Sequence, residues 1–588
     1  MPFIEPLKST HFIMAENQIL SSNAAHPKGL YVLFFTEMWE RFGYYLMLGI
    51  FSLYMLDGWN NGGMGFDSGK KSDIYGTYLG LVYLTPFIGG LLADRILGYR
   101  RSIIIGGLMM ACGYFSLSIH SEASFFLGLI LVILGNGFFK PNISTLVGNL
   151  YSTDALKAKK DAGYNIFYMG INVGAFVCNF VAAYMRINYG WGHAFAAAGV
   201  GMILGVIIFI SGSKHIKHVD VVKPLQDGDM PTLKILGLTV LPMFVFGILG
   251  YIIPGNILGT DTNDAFIFGC LPVIGFFIYL AFTAEAKESR AIKALLAVFT
   301  CVILFFAIFH QNGDALTVWA EDHTDRKMPE SISNAANSIG MAQVVVNNDI
   351  VSSDQASFDA TIATMRATEK AMPAVSMEEI KAKGDYSGQV GQLEKSRKYF
   401  ESLPAEQIPA KGEDLKLYST ELYQSMNPFW VVVLTPLIIG FFGFLRTRKS
   451  EPNTPTKIAI GLVVTALSAL VMVGAVLSTN HLTVKAGSLW LLASYGVITI
   501  GELCLSPMGL SLVSKLSPPR ITALMMGGFF LAISVGNKLS GMLSGMWEKF
   551  ENKEDFFYMN FGLVMAAAIL LFLMLKWLNR VMKENNLF

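Results

Sequence analysis

The sequence predicts an all-α polytopic membrane protein, and three observations support that class. Of its 588 residues, 53% are hydrophobic and only 15% are charged, whereas soluble domains carry about 25% charged residues. The apolar residues fall in repeated runs of roughly 20, the length of helix that spans about 30 Å of hydrocarbon. These runs lack the period-two alternation of a transmembrane β-barrel. We therefore expect a bundle of membrane-spanning helices.

Fourteen apolar runs are predicted to be helical spans. They cover residues 31–55, 74–95, 103–120, 124–147, 164–187, 192–212, 233–254, 264–283, 294–318, 428–446, 456–478, 487–512, 522–545 and 556–579. Lys and Arg cluster in the loops after the even-numbered spans, which all lie on one side. The positive-inside rule places that side, with both chain termini, in the cytoplasm. The first 28 residues lack the features of a cleaved signal peptide.

One polar segment, residues 321–426, interrupts this rhythm. It contains 17 Asp and Glu against 11 Lys and Arg, a net charge of −6 in a chain whose total is +1. The alternation of spans places it on the extracytoplasmic side, with helical stretches expected at 359–372 and 392–403. An inserted loop that rides on a transporter core is one interpretation. A docking platform for an outer partner is the other.

Ionisable residues inside the apolar spans are the strongest functional signal, because a charge at bilayer depth costs at least ~2.5 kcal/mol. Glu37, Glu40 and Arg41 share one face of the first span at positions i, i+3 and i+4. Two neighbouring carboxylates favour holding one proton, and an adjacent Arg opposes this. The cluster is therefore either a site of proton uptake and release or a buried salt-bridge network between helices.

A cation and an anion are predicted at breaks in two further helices. Lys140 precedes Pro141 in the fourth span, and Glu502 precedes Ser506 and Pro507 in the twelfth. Proline removes a helix hydrogen bond, and transporter sites often use discontinuous helices near the bilayer midplane. This arrangement indicates a zwitterionic substrate held between the Lys and the Glu. A Lys140 that snorkels to the membrane interface is the alternative.

The loop after the second span carries a further motif, Gly90-Leu91-Leu92-Ala93-Asp94-Arg95-Ile96-Leu97-Gly98-Tyr99-Arg100-Arg101. Its glycines permit a tight turn and close packing, and Asp94 is placed to cap or pair with a helix end. The motif resembles the loop signature of the major facilitator superfamily, where its role is gating. Residues expected to act in gating or structure are Gly90, Asp94, Arg95 and Pro141.

Five motifs, spread over both halves of the chain, resemble those of the proton-coupled oligopeptide transporter family of that superfamily. They are Glu37-Met38-Trp39-Glu40-Arg41-Phe42, Lys140-Pro141, Phe167 to Gly174, Asn427-Pro428, and Gly501-Glu502 with Ser506-Pro507. The resemblance implies a core of six plus six helices, with the spans at 233–254 and 264–283 as two extra helices.

The implied organisation has seven parts. They are a cytoplasmic tail (1–30), an N-terminal six-helix bundle (31–212), a linker with two extra helices (213–293), the first helix of the C-terminal bundle (294–320), an extracytoplasmic insertion (321–426), the five remaining helices (427–580) and a second cytoplasmic tail (581–588).

The resemblance also implies roles for individual residues. Proton coupling is assigned to Glu37, Glu40, Arg41 and Lys140, and the last of these is expected to pair with the other three and to serve the peptide carboxylate. Residues expected near the peptide are Tyr44, Tyr45, Tyr83, Lys140, Asn172, Asn427, Glu502 and Ser506. Glu502 is expected to hold the peptide amino terminus. Ordinary packing is the alternative for Tyr45 and Asn172.

Two positions depart from the family's pattern. Leu48 stands where many members carry an Arg seven residues after the motif Arg41, and His310 stands before Gln311 where many carry an acid. In many members this Arg and this acid can form an ion pair, and both partners of that pair are thus replaced here. Asp314, one turn later, is expected to replace the missing acid. Both His310 and Asp314 are expected to share in proton coupling. His310 titrates near pH ~6.5 when unperturbed, and a purely structural His is the alternative.

The predicted function is proton-driven uptake of di- and tripeptides by alternating access in the inner membrane of a bacterium. Protons are the coupling ion, and no cofactor, metal site, enzyme motif or nucleic-acid partner is expected. A carrier of nitrate or of a modified peptide is one alternative. A membrane receptor or docking protein that uses residues 321–426 and no longer transports is the other.

Overall fold

The computed structural model describes residues 25–153, 156, 159–221, 232–373, 376–518 and 521–585. Within these residues, six long helices form an N-terminal half with its own buried apolar core. They are α1 (Lys28–Leu56), α2 (Ser68–Leu92), α3 (Tyr99–Leu117), α4 (Glu122–Leu150), α5 (Lys160–Tyr189) and α6 (Trp191–Gly212). A helical hairpin, α7 (Thr232–Ile252) and α8 (Asp261–Thr283), follows this half and packs against α2 and the C-terminal half.

The C-terminal half has a second apolar core. Its first helix, α9 (Ala286–Phe309), ends in a 3₁₀ turn (His310–Gly313) that leads into the short helix α10 (Ala315–Asp322). Five long helices complete it: α14 (Met426–Thr447), α15 (Thr454–Ser478), α16 (Ser488–Leu516), α17 (Thr522–Ser544) and α18 (Lys553–Glu584).

Residues 323–419 form a small mixed subdomain between α10 and α14. Its helices are α11 (Glu330–Ser338), α12 (Gln355–Ala371) and α13 (Met377–Glu401), and its strands are β1 (Thr324–Asp325), β2 (Gln343–Val346) and β3 (Asp414–Leu417). Strand β2 pairs antiparallel with β3, and β1 pairs in parallel with β4 (Ala486–Gly487) from the loop before α16. We call the end of the bundle that carries this subdomain the insertion face and the opposite end the basic face.

Ten helical segments of the described chain are long and apolar enough to cross a membrane. The other four predicted spans correspond to α1, α3, α7 and α17, each of which is a helix here. In α7 the apolar part, Leu236–Ile252, is shorter than the other spans. A polytopic helical membrane protein is thus confirmed, and the count of fourteen spans stays a prediction.

Several helices extend beyond their predicted bounds. Helix α9 begins at Ala286 rather than at 294, and α18 continues to Glu584 rather than to 579. The additional turns contain charged residues such as Lys287 and Lys583. The predicted bounds stop at the first charged residues because they were set by apolar content. The helices themselves continue past those residues because their backbone hydrogen bonds continue.

The predicted helix breaks at Pro141 and Pro507 are wrong. Both prolines lie inside continuous helices, α4 and α16. A proline removes only one backbone hydrogen bond. Beside Pro141, the side-chain amide of Asn142 (Nδ2) donates to the carbonyl of Phe138 at 2.7 Å. Gly90 of α2 lies against Pro141, at ordinary van der Waals distance from its ring.

Candidate functional site

The charged residues of α1 form a buried cluster. Arg41 lies 3.2 Å from Glu37 through its Nε atom, and its Nη2 atom donates to Glu40 Oε1 at 2.7 Å. All three side chains are at most 4% exposed. One carboxylate oxygen of Glu37, Oε2, is buried without a hydrogen-bond partner. Two carboxylates therefore share a single guanidinium, and Arg41 bonds Glu40 more completely than Glu37.

Lys140 of α4 lies beside this cluster without forming an ion pair with it. Its ammonium is 4.0 Å from the centre of the Tyr83 ring, a cation–π contact. Among the described residues, no carboxylate lies within ion-pair distance of this ammonium, although Lys140 acts electrostatically on Glu37 and Glu40. The pairing expected from the resemblance is therefore absent in this conformation, in which the Lys140 ammonium lies on the Tyr83 ring instead.

His310 extends the site into the C-terminal half. Its ring packs among three aromatic rings, with centroids 5.6 Å from Phe306, 5.1 Å from Phe309 and 5.8 Å from Tyr83. Tyr83 belongs to the N-terminal half, so its ring contacts Lys140 on one side and His310 across the boundary between the halves. Tyr83, Lys140 and His310 were all predicted from the sequence to be site residues, and the structure brings them together.

Glu502 of α16 provides the acidic group of the C-terminal half. It accepts a 2.9 Å hydrogen bond from the amide of Asn427, which also donates to Thr499 at 3.0 Å. Glu502 is half-buried. Tyr45, on α1, is half-buried and packs edge-to-face on Tyr44, with ring centroids 5.2 Å apart.

The remaining predicted contact residues differ in their surroundings. Tyr44 is buried, with the Arg41 guanidinium 5.1 Å from its ring centre. Asn172 donates through its side-chain amide to the carbonyl of Tyr168 on its own helix at 3.0 Å, and its contact with a peptide stays a prediction. Ser506 is half-buried on α16. The side chains of Asp94 and Arg95 lie outside the described residues.

Asp314 lies apart from the His310 ring and joins the halves at another point. Its carboxylate is fully buried, forms an ion pair with Lys71 of α2, and accepts a 3.3 Å hydrogen bond from Ser52 of α1. Ser52 also donates to the carbonyl of Gly313 at 2.8 Å. Asp314 thus forms an inter-half ion pair, and its partner comes from α2 rather than from the Leu48 position on α1.

A second buried ion pair joins α2 to α17 nearby. Lys538 lies 2.6 Å from Asp73 and donates to Thr77 at 2.6 Å. Asp73 also accepts a hydrogen bond from Thr262 of α8, so the extra hairpin is attached at the same point. One turn further along, Gly76 and Gly541 let the backbones of α2 and α17 touch, because a Cβ on Gly76 would lie 2.9 Å from the Gly541 Cα.

A third ion pair joins α5 to the segment before α14. Arg186 pairs with Glu421, whose Oε2 atom is 3.0 Å from Nη2, and donates to Ser419 at 2.9 Å. Glu421 is fully buried. All three inter-half pairs lie toward the insertion face, and no ion pair or hydrogen bond between the halves occurs toward the basic face among the described residues. The described conformation is therefore closed at the insertion face.

The sequence interpretation missed Lys71, Lys538, Arg186 and Glu421. Lys538 was visible by the criterion used for Lys140, since it is an ionisable residue inside an apolar run. The other three stand at the ends of spans, where charges are common and carry no local signal. Their partners lie far away in the sequence, for example 243 residues apart for Lys71 and Asp314.

Two six-helix halves, which meet at one face through buried ion pairs and carry charged groups at their boundary, define a transporter of the major facilitator type. The POT family model (PTR2) matches residues 100–346 and 414–564, which is more than half of the chain. The chain therefore belongs to the POT family. The matched segments leave out α1, which carries the Glu37 cluster, and residues 347–413 of the insertion subdomain.

Individual relatives agree with this assignment. The chain is 29% identical to a peptide transporter of Yersinia enterocolitica, over 95% of this chain and 96% of that protein. It is 27% identical to a di-/tripeptide transporter of Lactococcus lactis, covering 95% and 97%. The crystal structure of a peptide transporter POT with sulfate superposes with a TM-score of 0.70 at 27% identity, covering 96% and 99%. The protein is accordingly a membrane transporter and not an enzyme.

Proposed function

We propose that the protein takes up di- and tripeptides across a bacterial inner membrane, driven by an inward proton gradient. The family membership and the peptide transporters among its relatives support the substrate class. The observation that carries the proton coupling is the buried cluster on α1, in which two carboxylates share one guanidinium and a Glu37 oxygen has no partner. The two carboxylates carry two negative charges against the one positive charge of Arg41, so a single proton on Glu37 makes this cluster of three residues neutral.

In the proposed cycle, the proton on Glu37 weakens its tie to Arg41. A peptide then enters between the halves, with its carboxylate toward Lys140 and its amino terminus toward Glu502. To bind the peptide carboxylate, the Lys140 ammonium leaves the face of the Tyr83 ring. To bind the peptide amino terminus, Glu502 gives up its hydrogen bond from Asn427 and accepts one from the peptide ammonium. Since these groups recognise the peptide termini, side chains of many kinds are accepted.

Alternating access then requires the ion pairs at the insertion face to form and break in turn. The loops at the basic face are rich in Lys and Arg, which supports a cytoplasmic placement of that end and of both termini. The insertion face is then extracytoplasmic, and the described conformation is closed to the outside. Lys71 with Asp314, and Asp73 with Lys538, act as an outer gate in this proposal.

Uptake of a labelled dipeptide into proteoliposomes, with and without an inward proton gradient, tests the proposal. We expect accumulation only with the gradient, and we expect competition by unlabelled dipeptides and tripeptides but not by free amino acids. A folded protein that accumulates no peptide under any gradient contradicts the proposal, and nitrate is then the next substrate to test. Accumulation that does not depend on the proton gradient contradicts the coupling alone.

A further inference from the structure

Residues 347–413, which the family model leaves unmatched, form a compact addition between two paired strand ends. We call them the added segment. Val346 at the end of β2 is the pairing partner of Asp414 at the start of β3. The matched family segments end and resume at these same two residues. Phe358, Leu393 and Phe400 from the segment pack with apolar residues of the two strands in a small core.

The added segment is attached firmly to the C-terminal half. The backbone amide of Lys485, in the loop before α16, donates to the carbonyl of Ser402 at 3.2 Å, and Lys398 forms a 2.6 Å ion pair with Asp322 of α10. Tyr399 of the segment donates to Asp325 of β1 at 3.0 Å, and β1 is itself paired with β4 of the C-terminal half. The segment therefore moves with that half.

The same segment contacts the N-terminal half at the loop between α1 and α2. Ser387 donates to the carbonyl of Asn60 at 2.6 Å, and Arg366 donates to the Asn61 side chain at 2.5 Å. Lys395 forms a 3.1 Å ion pair with Asp57. These contacts cross the boundary between the two halves.

The residues on each side of this contact are also bonded to residues of their own side. On the segment, Arg366 is held by Glu369 at 2.9 Å and by Glu394 at 2.8 Å. On the loop, Asp57 accepts a 2.9 Å hydrogen bond from the indole of Trp191 on α6 and a 3.1 Å bond from Asn61. Bonds of this kind restrict the contacting side chains, and such restriction reduces the conformational entropy that is lost when a contact forms.

The contact is polar and open to water. Lys395 and Glu394 are each 34% exposed, and a groove of about 1510 Å³ lies between the segment and the N-terminal half. Exposed ion pairs of this kind are individually weak because water screens them. Separation of the two surfaces therefore breaks several weak polar contacts, which suits a contact that forms and breaks in every cycle.

We infer that the added segment is a clasp that holds the insertion face closed by tying the α1–α2 loop to the C-terminal half. This inference rests on the proposed function, because it assigns the clasp to the closed state of an alternating-access cycle. Opening the insertion face separates the halves there, so Asn60, Asn61 and Asp57 must leave Ser387, Arg366 and Lys395. The clasp thus favours the closed state and slows the return to the open one.

A reversible cross-link tests the inference in the full-length protein. A Cβ at Gly391 would lie 3.2 Å from Asn61 Cγ, the position that a cysteine sulfur would take at residue 61. Since Cγ is one bond from Cβ, cysteines at these two positions are close enough for a disulfide, in which the Cβ atoms are ~3.5–4.5 Å apart. In the double variant Asn61→Cys/Gly391→Cys, oxidation should stop labelled dipeptide uptake, and a reductant should restore it. Each single-cysteine variant, oxidised in the same way, should keep its uptake. Full uptake by the cross-linked protein overturns the inference.

A second measurement does not depend on transport, so it separates failure of the clasp from failure of the proposed function. Spin labels at Glu122→Cys, at the start of α4, and Glu551→Cys, before α18, report the distance between the halves at the insertion face. Both are introduced with Cys112, which is exposed, replaced by Ser. Adding Arg366→Ala and Lys395→Ala should increase the population with a long distance.

The matched control for the second measurement removes an ion pair within the segment. Lys411 pairs with Asp349 at 3.0 Å, away from the N-terminal half, so Lys411→Ala should leave the distance distribution unchanged. An unchanged distribution in the Arg366→Ala/Lys395→Ala variant overturns the clasp even if peptide uptake is normal. A shifted distribution in a protein that takes up no peptide keeps the clasp and rejects only the proposed substrate.

Discussion

At the residue scale, Glu37 and Glu40 differ although they are neighbours on one helix face. Both Glu40 oxygens bond to Arg41, whereas Glu37 shares only the Nε atom and keeps one buried oxygen without a partner. An unpaired buried oxygen is costly unless it gains a hydrogen bond or its charge is neutralised. Glu37 is therefore the carboxylate of the pair that is better placed to take the proton in the proposed cycle.

Replacing Glu37 by Gln should separate transport from coupling. The amide keeps the size of the side chain but cannot exchange a proton, so gradient-driven accumulation should fall to the level measured without a gradient. Counterflow, in which labelled peptide exchanges for unlabelled peptide, should persist. Glu122→Gln, at the exposed start of α4, is the control and should keep both activities. Accumulation by the Glu37→Gln protein would falsify the assignment of the proton to this residue.

Replacing Glu502 by Gln should weaken binding of free peptides but not of peptides with an acetylated amino terminus. A hydrogen bond to a charged group contributes ~1.5–3 kcal/mol, which corresponds to about 10- to 100-fold in Kd. The wild-type protein should therefore prefer the free peptide, and the variant should bind both forms alike. Isothermal titration with a matched pair of dipeptides measures this. Equal preference in both proteins would place the amino terminus elsewhere.

Lys485, in the loop before α16, should make stability depend on pH. Burial, together with the nearby Arg326, lowers the pKa of its ammonium to about 8, against ~10.4 in an unfolded chain. Between these values the unfolded chain binds more protons than the native one, so the free energy of unfolding rises with pH. The thermal midpoint of the wild-type protein relative to Lys485→Met should increase from pH 8 to pH 10. A constant difference would contradict this.

At the scale of elements, α2 carries most of the contacts between the halves. Its first two turns supply Lys71 and Asp73 to two buried ion pairs, and the next turn brings Gly76 against α17. Further along, Ser534 of α17 donates to the carbonyl of Gly80 at 2.6 Å. One face of this helix therefore combines charged, small and backbone contacts with the opposite half, and its amino-terminal turns decide whether the insertion face is closed.

Removing Lys71 alone should lower the free energy of unfolding more than removing Lys71 and Asp314 together. Lys71→Met leaves the Asp314 carboxylate buried and unpaired, which typically costs ~3–5 kcal/mol. Adding Asp314→Asn to this variant should recover part of the loss. The thermal unfolding midpoint in detergent measures each step. Lys70→Met is the matched control, because Lys70 forms an exposed pair with Glu122 and should change stability by less than ~1 kcal/mol.

At the scale of the whole molecule, the transporter core and the added segment are separable by geometry. Val346 and Asp414 face each other across β2 and β3, so a two-residue Asn-Gly turn can replace residues 347–413 and close a hairpin. The shortened protein should retain peptide counterflow, because the predicted coupling and binding residues all lie outside the deletion. Counterflow in proteoliposomes measures this. Loss of transport in a folded protein would favour the docking-protein alternative.

Much of the site was predictable because its signals are local. Glu37, Glu40 and Arg41 share a helix face by their spacing alone, and charges in apolar runs marked Lys140 and Glu502. Contacts between distant segments were not predictable. The pair of Lys71 with Asp314 depends on how α2 crosses the end of α9, and the strands β2 and β3 depend on pairing across the added segment.

The touching backbones of Gly76 and Gly541 have a mechanical consequence. Gly76 is eight residues from Ser68 at one end of α2 and sixteen from Leu92 at the other, or ~12 Å and ~24 Å along the axis. If the halves tilt about this point, α2 acts as a lever with unequal arms. Lys71 is five residues from Gly76, or ~7.5 Å along the axis, so a small displacement that frees Lys71 on the short arm moves the far end about three times as far. The position of Gly76 along α2 thus sets the ratio between a displacement at the insertion face and the resulting displacement at the basic face.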